Sequence, residues 1–247
     1  MVTQSRARPV PLLLTRPEVQ GADFAARLLS EFGDRVAIIK TPLLTPRFFA
    51  PVLPHGPFSA MILTSQTGVE GYVRLGLALH LPKEVFCVGE RTARAACAAQ
   101  LMPVAVAKDA ASLIAQISAL KPKGALLHLR GRETRGDICN LLISAGIETV
   151  DVVIYGQDPL PFNNAATKTL NGNRPVLVPL FSPRTAVLFT AGLSQITVNS
   201  PLFVAAMSDE VALAAGALGA QIKIAKQPDA AAMIDVVALF LAELQRA

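Results

Sequence analysis

Short apolar runs alternate along this chain with amphipathic helical stretches, and the whole order then repeats, which leaves few architectures open. Residues 11–15 (PLLLT) are followed by Val19, Phe24, Leu28, Leu29 and Phe32 at three- and four-residue intervals, the pattern of a strand entering a helix. Thr15 and Glu18 stand at capping-box spacing, Pro17 falls in the first turn, and Gly33 is placed to end the helix. VAIIK (36–40), FSAMILT (58–64), VFCVG (85–89), PVAVA (103–107), ALLHLR (125–130), PVLVPLF (175–181), PLFVAA (201–206) and QIKIAK (221–226) read as further strands. Helical segments lie between most of them, and strands so separated predict parallel sheets with right-handed crossovers.

The repeat is visible residue by residue. LLLTRP (12–17) lines up with LLHLRG (126–131), setting Arg16 opposite Arg130, and each leads into a helix, a glycine (Gly33, Gly146), a strand and a proline (Pro46, Pro159). LTSQTGV (63–69) matches FSPRTAV (181–187), and VGERTA (88–93) matches MSDEVA (207–212). The 247 residues thus read as two copies of about 120 residues each. The proline-containing stretch 41–57 reads as a linker or edge ribbon, and each copy carries a proline-marked linker after its first β-α-β portion.

Hydrophobic residues are 52% of the chain and charged ones 17%, so neither disorder nor a coiled coil describes it. The apolar runs 211–220 and 230–242 are short or broken by Asp235, whereas a membrane span needs about 20 apolar residues; no span is predicted. VPLLL stops at Thr15-Arg16-Pro17, too soon for a secretory leader, so a cytoplasmic location is expected. Cys87, Cys97 and Cys139 include no C-x-x-C pair, and His55, His80 and His128 are scattered, which argues against structural zinc and a disulfide framework. The net charge of +5 favours an anionic partner.

In a parallel sheet, ligands gather where strand C-termini open onto helix N-termini. The residues at these junctions are Thr15-Arg16, Thr64-Ser65-Gln66-Thr67, Gly89-Glu90-Arg91-Thr92, Arg130-Gly131-Arg132, Ser182-Pro183-Arg184-Thr185 and Ser208-Asp209-Glu210. Hydroxyls and arginines suit carboxylate or phosphate recognition, although each Ser or Thr also fits a plain helix cap. No dinucleotide or P-loop glycine pattern follows a strand; AAGALG (214–219) precedes one instead. His128, inside an apolar strand, reads as a core histidine, and His55 and His80 as loop residues. Tyr155, one of only two tyrosines, falls in the ribbon before Pro159, outside either expected core.

The order TRP, TSxxGV, VGxxTA, LRG, a linker tyrosine and a second FSPxx(A/G)V resembles the uroporphyrinogen-III synthase family over nearly the whole chain. The resemblance implies an α/β fold of two similar three-layer α/β/α lobes with parallel sheets in flavodoxin-like order. They would arise by internal duplication with segment swapping and be joined by a two-stranded ribbon. Lobe 1 would hold 1–40 plus 160–247, lobe 2 would hold 55–150, and 41–54 and 151–159 would be the ribbon. It also implies a cyclising lyase, a monomer without metal or organic cofactor, that closes hydroxymethylbilane into uroporphyrinogen III with inversion of ring D, in a cleft between the lobes.

Carried over by position, Tyr155 is the expected catalytic residue. Arg16, Thr64, Ser65, Gln66, Gly89, Thr92, Arg130, Gly131, Ser182, Arg184 and Ser208 are the expected substrate-binding residues. The second copy departs from the pattern: Ser208 and Val211 replace an expected glycine and threonine, and Ala186 another glycine. A non-catalytic two-lobed binder of an anionic small molecule or tetrapyrrole is the alternative. Nucleic acid is not an expected partner, since aromatics are 5%, Trp is absent and no basic run exceeds two residues.

Overall fold

The computed structural model describes residues 8–79, 81–133, 136–216 and 219–246; His80, expected in a loop, lies outside them. Along the chain the elements run β1 (Val10–Leu14), α1 (Glu18–Phe32), β2 (Val36–Lys40), β3 (Leu44–Phe48), β4 (Phe58–Leu63), α2 (Gln66–Arg74), β5 (Glu84–Val88) and α3 (Glu90–Ala98). There follow β6 (Met102–Ala107), α4 (Ala110–Leu120), β7 (Ala125–Gly131), α5 (Ile138–Ser144), β8 (Thr149–Pro159) and α6 (Asn164–Leu170). The last third holds β9 (Val176–Leu180), α7 (Pro183–Leu193), β10 (Leu202–Ala206), α8 (Asp209–Ala215), β11 (Gln221–Ile224) and α9 (Ala230–Leu244).

The chain forms two compact units. One comprises the described residues up to Thr45 and from Pro159 onward, the other Pro46–Asp158. The first holds a five-stranded sheet in the order β11-β10-β9-β1-β2, with parallel pairing throughout. The second holds a six-stranded sheet, β3-β8-β7-β4-β5-β6, parallel from β8 to β6. Counting the first sheet from β1 and the second from β7 gives one strand order, 2-1-3-4-5, with β3 added at the second sheet's edge. Bonds from Phe49 N–H to Ile154 O and from Leu160 N–H to Leu43 O make β3 and β8 antiparallel.

Strand alternation distributes the core. In the first unit Leu12 and Leu14 pack with Phe24 and Leu28 of α1 and Val237 and Phe240 of α9. Leu13, Val176 and Val178 pack on the opposite face with Leu170 of α6, Phe189 of α7 and Val211 of α8. The second unit repeats this: Met61, Leu63, Leu127 and Leu129 face α2 and α3, while Ile62, Phe86 and Leu126 face α4 and α5. Burial on both faces is why these strands read as unbroken apolar runs.

Two local expectations are corrected. No capping box forms at α1: Pro17 is the N-cap residue with no side-chain bond, and Thr15 is buried, 1% exposed, its Oγ1 without a hydrogen-bond partner among the described residues. Tyr155 does not stand outside the core. It lies on β8, a single eleven-residue strand of the second sheet, and is 8% exposed among Leu129, Val152 and Ile154.

Candidate functional site

The second unit carries a cavity of about 540 Å³ where β4 and β7 end and α4 and α5 begin. Thr64, Ser65, His128, Arg130, Gly131, Asp151 and Tyr155 line it, with Glu133, Asp137 and Cys139. The helix-start geometry explains part of this. Ser65, in extended backbone, caps α2 by accepting the Gly68 N–H at 3.0 Å, which turns its hydroxyl back toward the strand ends.

Tyr155 arrives from β8. Its hydroxyl lies 2.8 Å from Ser65 Oγ, and Gly131 makes room for its ring: a Cβ at 131 would sit 2.7 Å from the Tyr155 Cζ. The Arg132 N–H donates to the Tyr155 carbonyl at 2.7 Å, at an irregularity in the β7–β8 register between Arg130 and Gly131. Burial pushes the phenol above its ordinary value, the Ser65 hydrogen bond opposes this and the Glu133 charge adds to it. Tyr155 is therefore protonated at neutral pH and able to donate.

Beside it lies a charged cluster that sequence reasoning does not find. Asp151 accepts from Arg130 Nε at 2.7 Å through one oxygen and pairs with His128 Nδ1 at 2.8 Å through the other. Burial alone would raise the Asp151 carboxyl, but the hydrogen bonds and charges of His128 and Arg130 outweigh it and hold it below the usual carboxylate value. Arg130 also donates from Nη1 to the Gly131 carbonyl at 3.1 Å. His128 is 3% exposed, and its Nε2 is buried with no hydrogen-bond partner among the described residues. The expected core position is correct, yet the ring also lines the cavity.

The cavity thus brings together five expected site residues, Thr64, Ser65, Arg130, Gly131 and Tyr155, and leaves three others of the same unit outside its lining. Gln66 opens α2 at its first turn. Gly89 takes φ +81° before α3, and its own N–H is already donated to the Ala107 carbonyl at 2.7 Å, so that N–H is not available for a carboxylate arm. Thr92 is buried, 4% exposed.

In the first unit the remaining expected residues occupy corresponding helix starts. Ser182 caps α7, accepting from Thr185 N–H at 3.2 Å and lying 2.9 Å from Thr185 Oγ1; Ser208 caps α8 through Val211 N–H. Arg16 lies with its guanidinium carbon 4.0 Å above the Phe181 ring, and Arg184 is exposed. Val211 and Ala186, which replace the expected threonine and glycine, are core residues at 1% and 0% exposure. Among the described residues no group of three or more His, Cys, Asp or Glu is placed to hold a metal ion. No described helix is long and apolar enough to cross a membrane.

The chain is similar in fold to the uroporphyrinogen-III synthetase of Helicobacter pylori, with TM-score 0.63 and 17% identity over 94% of this chain and 99% of that one. A mutant uroporphyrinogen III synthase from Thermus thermophilus aligns at TM-score 0.47 and 14% identity, over 96% of this chain and 100% of that one. No curated protein sequence matches. The family model described as uroporphyrinogen-III synthase HemD matches residues 26–235, a stretch that takes in β2 through β11 and every cavity residue, and the chain therefore belongs to the uroporphyrinogen-III synthase family.

Proposed function

We propose that this protein is a uroporphyrinogen-III synthase, a cyclising lyase that converts hydroxymethylbilane into uroporphyrinogen III in tetrapyrrole biosynthesis. Family membership supports the reaction class. The observation that carries the residue assignment is the Tyr155 hydroxyl, protonated, buried at a cavity wall and 2.8 Å from Ser65 Oγ. With Ser65 donating to the phenol oxygen, the Tyr155 O–H is left to donate to a ligand.

In this reading Tyr155 protonates the departing hydroxyl of the bilane, which leaves as water. The resulting azafulvene is attacked by the substituted carbon of ring D to give a spiro intermediate, which fragments and recloses at the other α-carbon with loss of a proton. The unassisted bilane closes without inversion, so the protein's larger contribution is orientation. The strand-to-helix junctions of both units, with Arg16, Thr64, Ser65, Gln66, Gly89, Thr92, Arg130, Gly131, Ser182, Arg184 and Ser208, are assigned to holding the substrate. At Gly89 the approach of backbone, not its own N–H, is what the position offers.

The same reading takes the two units as products of one duplicated segment, each borrowing from both copies. The shared strand order 2-1-3-4-5 supports this, and so does the double passage of the chain between units near Thr45 and Pro159. The protein acts as a monomer in the cytoplasm, needs no metal or organic cofactor and does not bind nucleic acid. Supplying purified protein with freshly made hydroxymethylbilane and resolving the product isomers tests the function. Enrichment in isomer III is expected; product of the spontaneous composition contradicts it.

A further inference from the structure

Arg130 is the only lysine or arginine among the described residues that line the cavity, and Glu133 and Asp137 bring carboxylates to the same lining. A polycarboxylate entering there meets one strong cation and otherwise like charge. How that cation is held therefore decides where a carboxylate arm can sit.

The guanidinium is held at two points. Its Nε–H donates to one Asp151 oxygen at 2.7 Å, and Nη1 donates to the Gly131 carbonyl at 3.1 Å. The other Asp151 oxygen lies 2.8 Å from His128 Nδ1. An ionised carboxylate only accepts, so Nδ1 carries a hydrogen whether the imidazole is neutral or charged. His128 is itself fixed, 3% exposed within β7, and the pairing His128↔Asp151 sets the carboxylate beside it. The rest of the Arg130 fork has no acceptor among the described residues. Its side chain is 24% exposed and lines the cavity, which leaves N–H groups for a ligand.

We propose that Asp151, steadied by His128, is a positioning residue that fixes the Arg130 guanidinium so that its remaining N–H groups hold one carboxylate arm of the tetrapyrrole in a set direction. The arm is thereby placed in the cavity that Tyr155 also lines. The assignment rests on the synthase reading for the identity of the ligand.

Charge alone argues for the opposite sign. Removing a carboxylate from beside a cationic site strengthens its attraction for a polyanion, so Asp151→Ala would tighten binding if Asp151 merely neutralised Arg130. A positioning role predicts weaker binding, because a loosened guanidinium must be ordered again when the ligand arrives.

Titration calorimetry of the full chain with uroporphyrinogen III, kept reduced, tests this beside steady-state kinetics with hydroxymethylbilane. Asp151→Ala should raise Kd and KM about tenfold or more, with a smaller change in kcat. Arg130→Lys keeps the charge but not the planar fork, and should weaken binding by a similar factor. Adding Asp151→Ala to Arg130→Lys should weaken binding no further, a readout that a merely structural carboxylate would not give. In wild-type protein labelled with nitrogen-15 at arginine, the Arg130 Nε–H, assigned with Arg130→Lys, should exchange slowly with solvent before ligand is added. Its Nη signals should shift on titration.

Tighter or unchanged binding by Asp151→Ala overturns the assignment, as does a further weakening of the same size in the Arg130→Lys background. The synthase reading survives either result if the wild-type protein makes isomer III. Weaker binding by both single variants of a protein that gives no enrichment in isomer III leaves the positioning role standing and removes the enzymatic reading. With neither binding nor isomer III, both fall together. Should Asp151→Ala not fold, the arginine spectra decide: a fast-exchanging Nε–H, or Nη signals that do not move, overturn the assignment.

Discussion

The Tyr155 hydroxyl and Ser65 Oγ lie 2.8 Å apart, joining the middle of β8 to the residue that caps α2. Ser65 serves two partners, since the same oxygen accepts the Gly68 N–H. Tyr155→Phe keeps the ring in its core setting and removes only the donor. Turnover of hydroxymethylbilane to isomer III should fall about a hundredfold, while stability falls by about 1 kcal/mol. Circular dichroism and a denaturant melt, run with the isomer assay, check both; unchanged turnover would remove the role assigned to the phenol.

Gly131 is defined by what stands over it. An added Cβ would meet the Tyr155 ring at 2.7 to 2.9 Å, and neither that buried ring nor the strand beneath it has room to yield. Gly131→Ala should cost about 1–3 kcal/mol and displace Tyr155, so that stability and turnover fall together. Gly89→Ala makes a useful contrast: nothing stands within 4 Å, and the strain comes from φ +81° alone. Urea melts of the two variants, compared with their isomer yields, separate crowding at the tyrosine from backbone strain.

Asp151 predicts a pH dependence of stability. Its folded-state pKa lies below the unfolded value of 3.8, so the unfolded chain takes up its proton first as pH falls. The stabilisation is present above 3.8 and is lost as pH falls through the folded value. Denaturant melts between neutral pH and the acid limit should show that loss in the wild-type protein. Asp151→Asn should be less stable at neutral pH and flatter over the acid range; parallel curves would mean the carboxylate is not so held.

The two capping serines test whether a cap is only a cap. Ser65→Ala and Ser182→Ala each remove an N-cap acceptor and should each cost about 1 kcal/mol. Ser65→Ala also releases Tyr155, and its loss should fall mainly in kcat. Ser182 bonds to Thr185 within its own helix start, so a substrate-binding role there should appear in KM. Steady-state kinetics beside melts distinguish the two; a Ser182→Ala variant with unchanged KM would reduce that serine to its cap.

Much of this architecture is legible in the sequence because the physics that sets it is local. Apolar runs buried on both faces, glycine at a helix end and Ser, Asp or Asn at helix starts mark the elements: Gly33 ends α1 at φ +55°, and Asp229 caps α9. Ser65 and Arg130 can be found because a strand-to-helix junction announces itself.

What escapes is whatever depends on strand register. His128 and Arg130 are two apart on β7 and so share a face, which alternation alone shows, but Asp151 meets them only because β7 pairs with β8 at His128↔Asp151. Nothing within either segment encodes that pairing. The core placement of Tyr155 escapes for the same reason: proline-marked residues read as a ribbon, whereas β3 and β8 pair and carry the strand on into the sheet. At α1, Thr15 and Glu18 have capping-box spacing, but β1 keeps Thr15 buried at its end.

The central claim is that this chain directs ring D inversion, and the isomer composition of the product measures it directly. Freshly prepared hydroxymethylbilane, with and without the purified protein, is allowed to close, oxidised and separated by chromatography. The account predicts mainly isomer III with the wild-type protein and a return toward isomer I with Tyr155→Phe. An isomer ratio that the wild-type protein leaves at the spontaneous value, at protein concentrations where it binds the tetrapyrrole, would contradict it.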